Sequence, residues 1–452
     1  MHARTLVVLG ALTIAACSWR TVSAEESQSP TISPQSNEPN EPNAPGEPNL
    51  PGDANAPQEP NEPNEPAVRA GRSGLTGYVA AEGRLFFHDP LYPDQEENDG
   101  SFAAQPEYYY QWENGALFTF TPFGRVDSAD PERTHWDIRE LYYLYSQDWW
   151  SFRFGVARVF WGATEFVHLV DVINQTDLVE NIDGEDKLGQ PMLQFSSSVD
   201  WGSLDIFILP YFREQTFPGP KGRLRPPLEI DTDDAIFESR DKERAKDLAI
   251  RYSRTFGDVD VGAYFFWGTN RDPLLVPADY LDPNDTGEPR LIPFYERIKQ
   301  FGLDATWATG NWLWKLEALY RSGYLDPYFA ATGGFEYTFF GFAGSNTDVG
   351  LLAEYVYDER GDDPSMTSIF DNDVFLGLRL APNDAASTQV LVGVMQDVRE
   401  QENAMRIEAS RRLGSHWRLN LEAWLFLDTP EDNVIYYLRD DDFVMLELAY
   451  HF

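Results

Sequence analysis

Residues 444–452, at the end of the chain, alternate between apolar and mixed side chains, as an extended strand with two different faces does. One face would carry Val444, Leu446, Leu448, Tyr450 and Phe452. The other would carry Met445, Glu447, Ala449 and His451. Successive side chains of a strand point to opposite sides, so a period of two indicates β-structure rather than helix. This pattern constrains the fold strongly if the rest of the chain repeats it.

The same period of two recurs in residues 258–267, 300–307, 311–321 and 417–427. In each segment one face is apolar, with Trp or Tyr near the strand ends. The opposite face mixes charged residues with Gly and Ser, as a water-filled interior would. A soluble sandwich would instead hide the apolar face in its core. The high aromatic content, 14% of the residues, also favours a transmembrane β-barrel, which carries aromatic girdles at both membrane interfaces.

The connections between these segments alternate between short and long. The short turns are Asn114-Gly115, Gln147-Asp148, Trp201-Gly202, Gly257-Asp258, Gly310-Asn311, 342–346, 382–386 and Gly414-Ser415. The long polar segments are 89–103, 127–133, 163–189, 213–245, 270–296, 323–327, 358–370, 398–402 and 429–437. This alternation predicts one all-β domain over 75–452, an antiparallel barrel of about 18 strands (16–18) with both termini on the short-turn side.

The N-terminal residues predict export followed by a tether. A short apolar run after Arg4 is typical of a signal peptide. Cleavage after Ala24 would define a signal peptide at 1–24. Cleavage after Ala16 would define a lipoprotein signal at 1–16 and leave Cys17 as the lipidation site. Residues 25–70 repeat Asn, Glu and Pro with almost no apolar residues, so we expect a disordered periplasmic linker.

Charge and motifs exclude several function classes. The formal net charge is -39, which disfavours nucleic acid as a partner because phosphate binding needs clustered Lys and Arg. The sequence has no His-Glu-x-x-His, Gly-x-Ser-x-Gly or Gly-x-x-x-x-Gly-Lys motif. We therefore expect neither an enzyme nor a catalytic residue, and no cofactor or metal.

Alternation places a series of cations on the inner wall. The candidate lumen charge ladder is Arg251, Lys315, Arg321, Arg379, Arg406 and Arg418. Acids such as Glu82, Glu317, Glu408, Glu422 and Glu447 would face the same space. Two interpretations stay open. The wall charges could compensate one another and rigidify the barrel, or the cations could guide anionic solutes through the lumen.

The segment 163–189 is unusual for a loop because its first half is apolar. Phe166, Val167, Leu169, Val170, Val172 and Ile173 need burial. We expect this half to enter the barrel mouth, with a short helix capped by Thr164; the alternative is packing on the rim. The candidate constriction residues are Glu165, His168, Asp171, Asp177, Glu180, Asp183, Glu185 and Asp186. A weaker interpretation is a Ca²⁺ site at Asp183–Asp186.

Two resemblances follow from these residues. The terminal strand closed by Phe452 resembles the last strand of bacterial outer-membrane barrels, in which this ending is read by the assembly machinery. The run Phe154-Gly155, Val159, Trp161-Gly162, Glu165-Phe166, Ile173-Asn174 and Asp177 resembles uncharacterised outer-membrane barrels comparable to alginate-export-type porins. The relatives more often have Pro where this chain has Gln175.

These resemblances imply a porin-like channel in the outer membrane, for passive diffusion of hydrophilic solutes or ions. Outer-membrane lipid and small hydrophilic solutes would be its partners. The alternatives are a structural or adhesion barrel with a plugged lumen and acidic, cation-binding outer loops, or a barrel enzyme.

Overall fold

The computed structural model describes residues 9–10, 71–284, 287–362, 370–399, 402–429, 431 and 434–452, and these form an all-β protein. Within them, 18 antiparallel strands close into one barrel. The first nine strands are β1 (Arg72–Phe86), β2 (Asn98–Gln111), β3 (Leu117–Asp127), β4 (His135–Ser146), β5 (Trp150–Ala157), β6 (Gln190–Val199), β7 (Gly202–Leu209), β8 (Asp247–Phe256) and β9 (Val259–Thr269). The second nine are β10 (Arg297–Thr309), β11 (Trp312–Ser322), β12 (Tyr328–Phe339), β13 (Asp348–Asp358), β14 (Asp373–Ala381), β15 (Gln389–Asp397), β16 (Asn403–Leu413), β17 (Trp417–Asp428) and β18 (Phe443–His451).

Pairing between the first and the last strand closes the barrel. The register runs from Tyr78 opposite His451 to Phe86 opposite Phe443. The backbone N–H of Phe452 then donates to the carbonyl oxygen of Gly77 at 3.0 Å. The predicted all-β fold and strand count are therefore confirmed. The predictions for 1–24, Cys17 and 25–70 lie outside the described residues, apart from the two-residue strand Leu9–Gly10.

Several predicted loop boundaries were wrong. The first loop ends before Asn98 rather than at 103, because Ser101 and Ala103 face inward while Phe102 faces outward with 73% of its surface exposed. Polar residues at 98–101 concealed this alternation. The third loop begins at 158 and the last ends at 442, since β5 stops at Ala157 and β18 starts at Phe443.

Burial distinguishes the two faces of each strand. On β18, Leu446 and Leu448 are exposed on the outer face, whereas Met445 and Glu447 are each only 5% exposed on the inner face. The outer face of β11 likewise presents large apolar side chains, including Trp314 and Leu316. An apolar exterior around a closed sheet indicates a barrel that spans a membrane. Among the described residues, no helix has the length and apolar character needed to cross a membrane.

The fourth and fifth long loops form a small additional sheet. Its central strand, Arg290–Tyr295, pairs antiparallel with Leu274–Pro277 and parallel with Glu229–Ile230 and Ile236–Phe237. Leu9–Gly10 pairs with Leu274–Pro277 at its other edge. A one-turn helix, Ala278–Leu281, follows Leu274–Pro277. The remaining helical segments are 3₁₀ turns at Lys242–Arg244, Phe342–Gly344, Glu359–Asp362 and Val434–Leu438.

The buried core lies inside the barrel. Residues 158–189, which we call the inner loop, provide much of it and pack against two apolar areas of the inner wall. One area lies on β13–β18 and carries Leu352, Val356, Phe375, Leu391, Met395, Ala404, Trp424, Phe426, Phe443 and Met445. The other lies on β5–β10 and carries Ala157, Met192, Phe207, Leu209, Ala249, Tyr264, Phe266 and Ile298. The inner loop thus lies in the lumen and packs against both areas.

Introducing one arginine tests which face of the strands contacts lipid. Leu316 is near the middle of β11 and faces outward. We expect Leu316→Arg to lower the free energy of unfolding in lipid by ~2–4 kcal/mol, because the guanidinium would face hydrocarbon. Ser253→Arg is the control, because Ser253 faces the interior on β8. Urea titration in bilayers measures both, and equal destabilisation would contradict the assigned faces.

Candidate functional site

Asn174 ties the two ends of the inner loop together. Its Oδ1 accepts a hydrogen bond from the N–H of Val159 at 2.8 Å. Its Nδ2 donates to the carbonyl oxygens of Ala157 at 3.0 Å and Leu188 at 2.9 Å. Since Ala157 ends β5 and Leu188 precedes β6, one buried side chain closes the loop at its base. This is the Asn of the Ile173-Asn174 motif.

Two glutamates of the barrel wall hold the apolar half of the inner loop. Glu317, on β11, accepts hydrogen bonds from the N–H groups of Ala163 at 2.6 Å, Thr164 at 3.0 Å and Val170 at 3.2 Å. Glu354, on β13, accepts from the N–H of Glu165 at 2.8 Å and of Phe166 at 2.9 Å. Hydrogen bonds to ionised acceptors are the stronger kind, so these carboxylates fix the loop backbone.

The predicted short helix is wrong: residues 163–170 contain no helix, and the N–H groups of residues 163–166 and 170 donate to wall carboxylates instead of to carbonyl oxygens of the loop. The hydroxyl of Thr164 lies 2.7 Å from the carbonyl oxygen of Val167 and 2.7 Å from Glu317 Oε1. The apolar side chains are buried, as their chemistry requires. The ring of Phe166 stacks on Phe375 with centroids 5.1 Å apart and meets the edge of Phe370 at 4.7 Å.

Glu165 connects two cations of the wall. Its carboxylate lies 2.9 Å from Lys315 Nζ and 2.9 Å from an Arg379 nitrogen. Burial alone would favour the neutral acid, but the charges of Lys315 and Arg379 outweigh it and lower the pKa of Glu165 to about 2. Arg379 also lies 3.2 Å from Glu336 of β12. Two members of the predicted ladder thus form ion pairs with one residue of the predicted constriction.

The acidic half of the inner loop faces arginines on the opposite wall. Glu180 receives a bidentate contact from Arg125 of β3, at 2.9 and 2.7 Å. Asp177 lies 2.6 Å from Arg139 Nη2 and 3.4 Å from His135 Nε2, both on β4. Burial opposes ionisation of Asp177, but the nearby imidazole of His135 and the charge of Arg139 lower its pKa.

A second layer of charge lies behind these contacts. Arg125 and Arg133 both reach Glu82 of β1, at 3.1 and 2.6 Å. Arg133 also lies 2.8 Å from Asp127. These groups are almost completely buried, so each charge needs the others for compensation. The strands β1, β3 and β4 are thereby joined to the inner loop by one ionic network.

Asp183 contacts the wall on the β16 side. Arg406 Nη2 lies 3.1 Å from its carboxylate, and Asn181 donates to it at 2.9 Å. Burial outweighs Arg406 and raises the pKa of Asp183 well above its ordinary value. Arg406 is thus a cationic side chain that contacts the segment in which the sequence suggested a Ca²⁺ site. Glu185 and Asp186 are half-buried beyond it, and Asp171 lies 3.4 Å from Lys187.

The six predicted ladder residues all lie on the inner face, but on different parts of it. Arg251 forms a bidentate pair with Asp304 at 2.6 and 2.8 Å. Arg321 lies 3.2 Å from Asp272 and bonds to Gln300 at 2.6 Å. Arg418 lies opposite Arg412 in the β16–β17 register, near the short-turn end. The wall cations described here mainly neutralise loop and wall carboxylates.

Sequence reasoning missed Arg125, Arg133, Arg139 and Glu354. Arg125 and Arg139 have a signal in the alternation of β3 and β4, where they fall on the inward phase. Arg133 lies in the loop between β3 and β4, outside the strands, and so has no periodic signal. Glu354 falls on the inward phase of β13, but nothing local shows that it would accept hydrogen bonds from residues 165 and 166.

No family model and no curated protein matches the chain. Solved structures of engineered variants of the Rhodopseudomonas blastica porin are similar to it. One variant has 14% identity and a TM-score of 0.42, and another has 13% identity and a TM-score of 0.40. Each match covers 84% of this chain and 100% of that chain. The resemblance to alginate-export-type porins stays a prediction.

The hydrogen bonds to Glu317 can be tested by removing the carboxylate. Glu317→Ala would leave three buried loop N–H groups without an acceptor, each at a cost of ~1–3 kcal/mol. We expect amide exchange at 163–170 to accelerate by on the order of 100-fold or more, with the strands still protected. Glu317→Gln should show a smaller effect because it keeps a carbonyl acceptor. Unchanged exchange in Glu317→Ala would exclude this role.

The contact of His168 with Glu317 predicts a pH dependence. His168 Nδ1 lies 3.6 Å from Glu317 Oε1. Burial disfavours the charged imidazole, but the nearby Glu317 carboxylate outweighs it and raises the pKa of His168 above its ordinary value. The stabilisation is therefore complete below the unfolded-state pKa and is lost as the pH rises through the folded-state pKa.

We expect the parent to exceed His168→Phe in unfolding free energy at pH 5, and this difference to shrink as the pH rises through the folded-state pKa of His168. Urea titration of both proteins at several pH values measures it. His416→Phe is the control, because His416 is exposed at the short-turn end. A difference that stays constant with pH would contradict the ion pair.

Proposed function

We propose that this protein is a bacterial outer-membrane channel through which hydrophilic solutes or ions diffuse passively, without chemistry. The observation that supports this most directly is the distribution of charge. Ionised side chains concentrate inside a closed barrel whose outer face is apolar. A barrel of this strand number has space for an aqueous path beside an inserted loop. The protein is accordingly not an enzyme.

The proposed orientation follows from the two ends of the barrel. All long loops leave one end, and the short turns together with Phe452 lie at the other. In bacterial barrels the short turns face the periplasm. Residues 25–70 would then extend into the periplasm, with Cys17 lipidated or removed, and Phe452 would be available to the assembly machinery. The surrounding lipid contacts the apolar outer face.

The proposed selectivity element is the inner loop. Its contacts extend from Arg125 and Arg139 on one wall to Lys315, Arg379 and Arg406 on the other. It therefore divides the lumen and covers much of the positive charge of the wall. Solutes that pass must use the space that the loop leaves, and they meet a wall whose cations are largely neutralised.

A second candidate function is a structural or adhesion barrel whose lumen stays plugged. The observation in its favour is that the inner loop packs on two separate apolar areas of the wall as well as on charged groups. Conductance distinguishes the two, because a permanently plugged barrel inserts into a bilayer without passing ions.

Deletion of residues 166–186 tests the channel and the role of the loop together. The deletion removes six carboxylates and no Lys or Arg, and it leaves Arg125, Arg139 and Arg406 without their loop partners. We expect a several-fold larger single-channel conductance and a reversal potential shifted toward anions, because wall charges set the field of a pore.

The matched control keeps the loop and changes only its charge: Asp177→Asn with Glu180→Gln. This variant should shift the reversal potential in the same direction with a much smaller change in conductance. A deletion protein that folds and conducts like the parent would show that selectivity is set elsewhere. Absence of conductance in both the parent and the deletion protein would favour the plugged barrel.

A further inference from the structure

A cavity of about 600 Å³ opens on the inner wall formed by β7–β10, near the short-turn end. We call it the vestibule. Its inward-facing side chains are small hydroxyls and charged groups: Ser203, Arg251, Ser253, Thr255, Asp260, Asp304 and Thr306. The inner loop contributes Gly162 and Ala163 to its lining. No part of this surface belongs to either apolar area of the wall.

Gly262 leaves room for the charged pair that lines the vestibule. A Cβ atom at Gly262 would lie 2.3 Å from Arg251 Nη2 and 2.5 Å from Asp304 Oδ2. The bidentate pair of Arg251 with Asp304 therefore occupies the space above Gly262.

The charge of the vestibule is negative. Arg251 is neutralised by Asp304, and the guanidinium of Arg254 lies over the ring of Phe256, its neighbour on the outer phase of β8. Asp260 remains beside the hydroxyl of Thr255, which donates to it at 2.5 Å. Asp200 lies at the rim, and Asp205 stands opposite Arg251 on β7. Clefts lined by one sign of charge concentrate counter-ions.

We propose that the vestibule is the short-turn-side mouth of the solute path, and that it admits small cations, such as amines, in preference to anions. This inference rests on the proposed channel function and adds where the path runs and which solutes it favours. The path meets the inner loop at Gly162 and Ala163, next to the backbone groups that Glu317 holds. The basic surface around Arg412 and Arg418 lies on another wall, β16–β17.

The test uses cysteine modification in a chain in which Cys17, the single native cysteine, is replaced by Ser. Ser253→Cys and Thr306→Cys place a thiol in the vestibule at two positions. Ser410→Cys is the matched control, because Ser410 lies on the inner phase of β16, two residues from Arg412. Each protein is treated with a cationic trimethylammonium methanethiosulfonate or an anionic sulfonate methanethiosulfonate.

In the vestibule variants we expect the cationic reagent to react about tenfold faster than the anionic one, and we expect this ratio to fall or reverse at Ser410→Cys. Modification by the cationic reagent should reduce single-channel conductance by at least half. A ratio near one or below at both vestibule positions would overturn the charge assignment. Modification that leaves the conductance unchanged would show that the path avoids the vestibule.

Failure of the channel function itself gives a different result. An unmodified barrel that passes no current would overturn the proposed channel and the path with it. The rate ratio, followed by mass spectrometry on the folded barrel in detergent, would still support or contradict the cation preference of the cavity.

Discussion

The arrangement of the lumen depends on the compensation of buried charge by the inner loop. Arg125, Arg133 and Arg139 face inward from one wall, where they are shielded from water. Glu180 and Asp177 of the loop supply the opposite charges at hydrogen-bonding distance. Removing one partner of such a pair leaves an uncompensated buried charge and typically costs about 3–5 kcal/mol. The loop position is therefore specified by electrostatics as well as by its apolar side chains.

The architecture of the barrel could be predicted from the sequence because strand alternation is a local signal. The period of two identifies the residues of each strand that face inward, such as Met445, Glu447 and Ala449 on β18. The position of the inner loop is a long-range property. Ala163 and Glu317 are 154 residues apart, and nothing at either position identifies the other as its partner. Sequence reasoning could thus say that the apolar half needs burial, but not which groups would hold it.

The inner wall also differs from the wet, polar surface that the sequence suggested. Phe375, Trp424 and Phe443 all point inward and are buried against loop residues or one another. A signal for this exists in β13, where Leu351 and Leu352 are adjacent and so place apolar side chains on both faces. A strand that is apolar on both faces contacts lipid on one side and protein on the other. Such strands mark the wall against which a lumenal segment packs.

The two halves of the inner loop are held by different contacts, so moving each half would break different interactions. The apolar half contacts Phe375 and receives carboxylate hydrogen bonds at its backbone, whereas the acidic half is held by bidentate arginine contacts. Separating the acidic half would expose several charges at once inside the barrel. Shifting residues 162–164 would break the hydrogen bonds to Glu317 from the N–H groups of Ala163 and Thr164 and from the Thr164 hydroxyl, and would leave the arginine network in place. Since Gly162 and Ala163 line the vestibule, the segment that requires the least rearrangement is also the part of the inner loop that borders the vestibule.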